Sequence, residues 1–200
     1  MAQMFVIGED ALCCALGTKL VTDVLRWRLA QPAVDTKGVT QLKKNISRYI
    51  GLTHLHPVLC VADTDGGCAL RLRKEWLPRH APNTFFLRLA VTESESWLLA
   101  DAAGFAQFMD IAPNRIPSHP DDLPDPKRTV LTLARRSRRR EIRQEIISSR
   151  DPSKPGSGYN LHLGNFVADH WRPNVAANAS RSLARAIQRL REIEDELPNP

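Results

Sequence analysis

The chain has 200 residues and 22.4 kDa, enough for one domain whose core needs no disulfide or structural metal. Apolar residues make up 42% and charged residues 25%, the profile of a soluble globular chain, and no apolar run approaches the ~20 residues of a membrane span, so an integral membrane protein is not expected. Lys and Arg number 28 against 22 Asp and Glu, a formal net charge of +6, and the excess is local: nine basic residues against Glu141 and Glu145 fall between Pro126 and Arg150.

In chain order, Met4 to Ile7 reads as a first buried strand ending at Gly8. No Lys or Arg precedes Lys19, and Glu9 with Asp10 interrupts the apolar start, so neither a secretory signal nor a lipoprotein start is expected. Leu12, Leu16, Leu20 and Val24 then form a helical stripe over Ala11 to Leu25. Trp27 to Leu29 reads as a short strand, followed by a loop through Pro32 and Gly38. Val39, Leu42, Ile46, Tyr49 and Ile50 mark a second amphipathic helix with Lys43 and Lys44 outside, and Tyr49 falls on its core stripe. Val58 to Ala62 is the most strand-like run and ends in Asp63-Thr64-Asp65-Gly66-Gly67. A helix over Cys68 to Leu77, a strand over Thr84 to Val91 and a helix from Glu95 to about Met109 follow.

Strand and helix alternate, and uninterrupted apolar strands fit burial on both faces, so the fold class is α/β with a Rossmann-like, mainly parallel sheet covered on both sides to about residue 110. Residues 111 to 126 hold five prolines, a stiff excursion. Two helical stretches around the arginines, a loop over Asp151 to Gly158, and helices over Tyr159 to Trp171 and Ser182 to Glu196 complete a helical second half packed on the same compact unit. Cys13, Cys14, Cys60 and Cys68 contain no Cys-x-x-Cys pair and two are adjacent. They read as reduced thiols of a cytoplasmic core.

In an open parallel sheet, ligands bind at the carboxyl ends of the strands. Asp63 and Asp65 leave the central strand together there, and Gly66 with Gly67 leaves space for a phosphate. Glu9 and Asp10 end the first strand, where Asp10 also suits a helix cap. Glu93-Ser94-Glu95 follows the third main strand. Carboxylates converging at one edge repel without a cation, and Mg²⁺ or Mn²⁺ held by carboxylates is the economical answer. Lys127, behind Pro126, is placed to hold a phosphate beside such a metal. Lys37 is a second candidate. His162 and Trp171 read as packing residues, and Tyr159 as the one tyrosine exposed enough to be a nucleophile. Arg135, Arg136, Arg138, Arg139, Arg140 and Arg143 crowd about two helical turns, a cluster suited to the phosphates of nucleic acid.

The order strand, acidic residue, helix, then strand, Asp-x-Asp, helix resembles the TOPRIM domain of topoisomerases, primases and OLD-type nucleases. Val58 to Gly67 together with Leu87 to Asp101 resembles more closely a family of small TOPRIM-like bacterial proteins of unassigned function, found in phage-defence neighbourhoods and sometimes beside an ATPase gene. Asp125-Pro126-Lys127 and Gly158-Tyr159-Asn160-Leu161-His162 are similar to that family too. The resemblance implies a metal site of Glu9, Asp63 and Asp65, joined by Glu95. The common motif places its Glu directly before a Gly, whereas here Gly8 precedes Glu9, which leaves Glu9 or Asp10 as the first acidic residue.

The expected function is therefore a Mg²⁺-dependent nuclease in which Glu9, Asp63, Asp65 and Lys127 carry the chemistry and the six arginines hold DNA or RNA. Two alternatives stand beside it. One is a phosphohydrolase of the haloacid-dehalogenase type, with Asp63 as nucleophile and Asp65 as acid/base. The other is a non-catalytic TOPRIM-like partner of an ATPase. A homo-oligomer is open in each case.

Overall fold

The computed structural model describes residues 2–196. Five strands, β1 (Gln3–Gly8), β2 (Arg28–Leu29), β3 (Val34–Asp35), β4 (Val58–Asp63) and β5 (Phe85–Ala90), form one parallel sheet. Carbonyls of Ala2, Met4 and Gly8 accept from the amides of Arg28, Ala30 and Thr36, while the amides of Phe5 and Glu9 donate to Pro57 and Val61. Both short strands therefore line one edge of β1, and β4 lines the other. The chain starts in the centre, moves to one side, then crosses β1 to continue through β4 to β5. The carboxyl ends of β1 and β4 thus form the topological switch point of the sheet, the position at which open α/β sheets bind their ligands.

Side-chain alternation sorts the strands between two cores. Met4, Val6, Leu59, Val61 and Phe86 face the larger one, with α1 (Ala11–Lys19), α4 (Glu95–Ala100), α5 (Ala102–Met109), α6 (Pro126–Ala134), α8 (Tyr159–Asp169) and α10 (Arg181–Glu196). Phe5, Ile7, Val58, Cys60, Ala62, Phe85 and Leu87 face the smaller one, under α2 (Val39–Gly51) and α3 (Ala69–Trp76). The expected α/β architecture with helices on both faces is present, and the helical second half packs on one of them. α7 (Arg140–Glu145) and α9 (Pro173–Ala176) are single short turns within it.

Two glycines set the approach of α1 to the sheet. A Cβ on Gly8 would stand 2.5 Å from the Cys14 amide, and one on Gly17 would stand 2.7 Å from Val6 Cγ1. Only glycine permits this turn and this close crossing.

Local departures from the sequence expectation have local causes. The first helix keeps regular geometry only to Lys19 and then widens into a π-helical turn over Leu20–Val24, in which Leu20 and Val21 remain fully buried. Residues 34 and 35, expected in a loop, pair with β1 because its open edge accepts them. The helix expected over Glu95 to Met109 breaks at Asp101, whose carboxylate accepts from the Gly104 amide at 3.1 Å and starts α5 anew. Asp101 is fully buried and also accepts from the backbone and side chain of Arg172, which ties this break to the start of α9.

Candidate functional site

Beyond their last paired residues β4 and β5 stay laced together. Thr64 N donates to Ala90 O at 3.1 Å, Asp65 N to Thr92 O at 2.9 Å, and Thr92 N to the Thr64 hydroxyl at 2.8 Å. This lacing forces Asp65 (φ 47°), Gly66 (φ 75°) and Thr92 (φ 60°) into the left-handed region. For a β-branched residue such as Thr92 that conformation costs on the order of 1–3 kcal/mol, a strain that clusters at functional sites.

The turn points Asp63 inward and Asp65 outward. Asp63 is 8% exposed, its Oδ1 accepts from the Ser94 amide at 2.8 Å and lies 3.8 Å from the Cys13 thiol. The Glu9 carboxylate reaches across from β1 and accepts from the Asp63 amide at 3.1 Å. Asp10 caps α1 through the Cys13 amide at 2.8 Å. Of the two candidates left by the sequence, Glu9 is therefore the residue that turns to Asp63, and Asp10 is committed to its helix.

From β5 comes Glu95, 2% exposed at the start of α4. Its Oε1 accepts from the Tyr159 hydroxyl at 2.8 Å, and its Oε2 is buried with no hydrogen-bond partner. Lys127 Nζ stands 3.7 Å from Glu95 and 3.6 Å from Glu93, whose other oxygen accepts the Lys127 amide at 2.8 Å. One side chain thus anchors the first turn of α6 and pairs with its lysine.

Electrostatics follow from this crowding. Burial, then the charges of Glu95, Glu9 and Asp10, push the Asp63 carboxyl up to about 8, with Lys127 opposing. Burial raises Glu9 as well, the Asp63 amide opposing and Asp65 and Asp10 adding to the rise. Burial raises Glu95 against the pull of Lys127 and Tyr159. Burial alone would lower Lys127, but Glu95, Glu93 and Asp63 together carry it upward.

Glu9, Asp63, Glu95 and Lys127 are thus brought together, as the sequence anticipated, while Asp65 sits exposed at the rim and acts on Glu9 through its charge. Glu93 and Tyr159 complete the network. The alternation Glu93-Ser94-Glu95 was a signal for the first. Tyr159 is not the exposed nucleophile its sequence position allowed: it is 4% exposed, and burial followed by the Glu95 charge holds its hydroxyl well above the usual phenol range. The His162 side chain is 18% exposed and its ring bonds Glu145 at 2.8 Å, and Trp171 is buried and donates to Trp97 O at 2.9 Å. Lys37 pairs with Asp35 at 2.6 Å and is largely exposed.

The six arginines do not lie on one helix. Arg135 and Arg136 follow the end of α6, Arg138 and Arg139 occupy the turn, and Arg140 and Arg143 belong to α7. Buried Ser137 sits in that turn and its carbonyl accepts from the Arg143 guanidinium, which draws the chain out of helix. Arg135 donates to the Pro152 carbonyl and Arg138 approaches Asp110 at 4.0 Å. Eight residues separate Lys127 from Arg135, roughly 12 Å along α6 at the helical rise of ~1.5 Å per residue.

Among the described residues, no group of three or more His, Cys, Asp or Glu side chains is placed so that it could hold a metal ion as it stands. The chemistry of the donors nevertheless fits a hard divalent cation: Glu9, Asp63 and Glu95 offer oxygens only, one Glu95 oxygen is unpartnered, and the crowding that raises the Asp63 carboxyl is what a positive charge among the three would relieve. No family model matches the chain, and no curated protein or solved structure does. Among the described residues no helix is long and apolar enough to cross a membrane.

Proposed function

We propose that the protein is a divalent-cation-dependent phosphodiesterase acting on nucleic acid, of the TOPRIM-like class its sequence resembles. The observation that carries this reading is the convergence of Glu9, Asp63 and Glu95 from three adjacent strand ends at the switch point, with Lys127 beside them and Asp63 shifted up to about 8. Strongly perturbed acids around a lysine at a sheet crevice are the usual mark of a reaction centre.

Glu9, Asp63 and Glu95 would hold Mg²⁺ or Mn²⁺, with exposed Asp65 free to turn in from the rim. The cation supplies Lewis-acid stabilisation of phosphoryl charge and lowers the pKa of water. Lys127 contributes a fixed positive charge to a phosphate oxygen, and Glu93 holds it by backbone and side chain. The Tyr159 hydroxyl keeps Glu95 oriented, and the Ser94 amide does the same for Asp63. A cytoplasmic role in bacterial phage defence belongs to the same reading and rests on the resemblance alone.

The pairing of Lys127 with both Glu93 and Glu95 favours a second reading, a TOPRIM-like partner of an ATPase in which the lysine replaces the metal. The haloacid-dehalogenase alternative is less well served, because Asp65, its required acid/base, sits exposed at the rim while Asp63 turns inward. One experiment separates the three: purified protein with Mg²⁺ or Mn²⁺ is offered DNA, RNA and p-nitrophenyl phosphate beside Asp63→Ala. Nucleic-acid cleavage lost in the variant supports the phosphodiesterase, and turnover of the small ester alone supports the phosphohydrolase. Folded protein without turnover on any substrate leaves the partner role.

A further inference from the structure

We infer that the outer face of α6 is the track for a nucleic-acid backbone, and that its cations are Arg115, Arg128 and Arg136 rather than the arginine run as a whole. A groove of about 640 Å³ lies along this face, and all three of these arginines line it with Asn114, Thr132 and Asp125. Arg128, Thr132 and Arg136 follow each other at intervals of four residues, which puts them on one side of the helix and its C-terminal turn. Arg115 faces them from the Pro113–Arg115 turn of the proline-rich excursion.

These three guanidinium groups are exposed, and none makes a hydrogen bond or ion pair among the described residues. Arg135 and Arg143, by contrast, donate to the Pro152 and Ser137 carbonyls and Arg138 stands 4.0 Å from Asp110, while Arg139 and Arg140 are exposed, likewise without a side-chain partner among the described residues, and lie outside the groove. Asp125 is the one acid lining the groove among the described residues, and its Oδ1 is engaged in capping α6 through the Arg128 amide at 2.7 Å. Against the single charge of Asp125, three exposed guanidinium groups leave the groove a net excess of two positive charges, which suits a polyanion. The span from Arg128 to Arg136, roughly 12 Å at the helical rise, accommodates a run of several phosphates rather than one. Lys127 and Arg128 are neighbours about 100° apart on the first turn of α6. The groove and the carboxylate site thus meet at adjacent residues of one helical turn, Arg128 lining the first and Lys127 pairing with the acids of the second.

This inference rests on the nucleic-acid reading above, but its test reads binding without cleavage. Fluorescence anisotropy with labelled 12-nucleotide DNA, 12-nucleotide RNA and the corresponding duplex is measured in EDTA between 50 and 200 mM salt for the full chain, for Arg128→Ala/Arg136→Ala and for Arg139→Ala/Arg140→Ala. At about 0.7 per single-strand phosphate contact, the groove variant is expected to flatten the log–log salt slope by about 1.4. The second variant, with the same charge change, is expected to flatten it by less than half as much. Thermal melts establish that each variant is folded, and Arg115→Ala provides an independent single change of the opposite wall. Equal losses in the two double variants, an unchanged slope in the groove variant, or equally tight competition by polyglutamate would overturn the proposal. Groove-dependent binding with no metal-dependent cleavage would instead overturn only the phosphodiesterase.

Discussion

Replacing Asp63 by asparagine should stabilise the protein, and do so most at alkaline pH. An acid whose pKa rises on folding binds its proton more tightly in the native state. Its stability contribution is therefore complete below the unfolded value of 3.8 and is lost as pH climbs through the window up to about 8. Each pKa unit corresponds to about 1.4 kcal/mol, so between pH 5 and pH 8, about three units, the wild type should lose on the order of 4 kcal/mol from this group. The asparagine side chain would keep an oxygen for the Ser94 amide at nearly the same volume and would carry no charge toward Glu9 and Glu95. For a chain of 200 residues, each kcal/mol moves the midpoint by roughly 2–4 °C. The melting temperature of Asp63→Asn should therefore exceed that of wild type in EDTA by a margin that widens by roughly 8–16 °C from pH 5 to pH 8. Glu9 and Glu95 are raised in the same direction, so some pH slope will remain in the variant. Differential scanning calorimetry at the two pH values is the measurement. A variant less stable than wild type at pH 8, or a difference that does not change with pH, would refute the electrostatic account of the site.

Further outcomes follow from the same structure. Mg²⁺ at millimolar concentration should raise the melting temperature of wild type at pH 8 and leave Asp63→Asn nearly unmoved; equal shifts would place the cation elsewhere. Tyr159→Phe removes the hydroxyl 2.8 Å from the buried Glu95 carboxylate and should cost about 1.5–3 kcal/mol in urea unfolding, with most of that loss absent in a Glu95→Ala background, which lacks the acceptor. A loss below about 0.5 kcal/mol would mean that Lys127 suffices. Gly17→Ala gains about 1 kcal/mol of helix propensity, yet its Cβ would lie 2.7 Å from Val6 Cγ1, so the net effect should be destabilising by about 1–2 kcal/mol; a more stable variant would show that α1 can move off the sheet. Asp101→Ala deserts the Gly104 amide and Arg172 together and should cost about 3 kcal/mol, with a change in tryptophan fluorescence because Trp171 adjoins Arg172 and bonds Trp97.

The sequence alone determined the sheet and its acidic edge, because both are local. Val58 to Ala62 is an unbroken apolar run, and only burial on both faces of a parallel sheet suits it. Glu9, Asp63 and Glu95 each stand within a few residues of a strand end, so any fold that makes those strands parallel carries the acids to one side. Residue type and spacing also marked Lys127 behind a proline that begins a helix. Tertiary structure decided everything that depends on what lies opposite. Asp63 and Asp65 are equivalent in sequence, but the lacing of Thr64 and Asp65 onto Ala90 and Thr92 turns one inward and the other out. Tyr159 reads as exposed until its helix is seen to bury it against Glu95, 64 residues away. The sequence shows two helical stretches around the arginines, but only the tertiary structure shows that the turn between them holds a buried Ser137. Which of those arginines remain available then depends on partners far along the chain or brought near by that turn, among them Pro152 and Asp110. A carboxylate or a guanidinium announces its charge in the sequence, but whether that charge is buried, answered or free is a property of its neighbours in space.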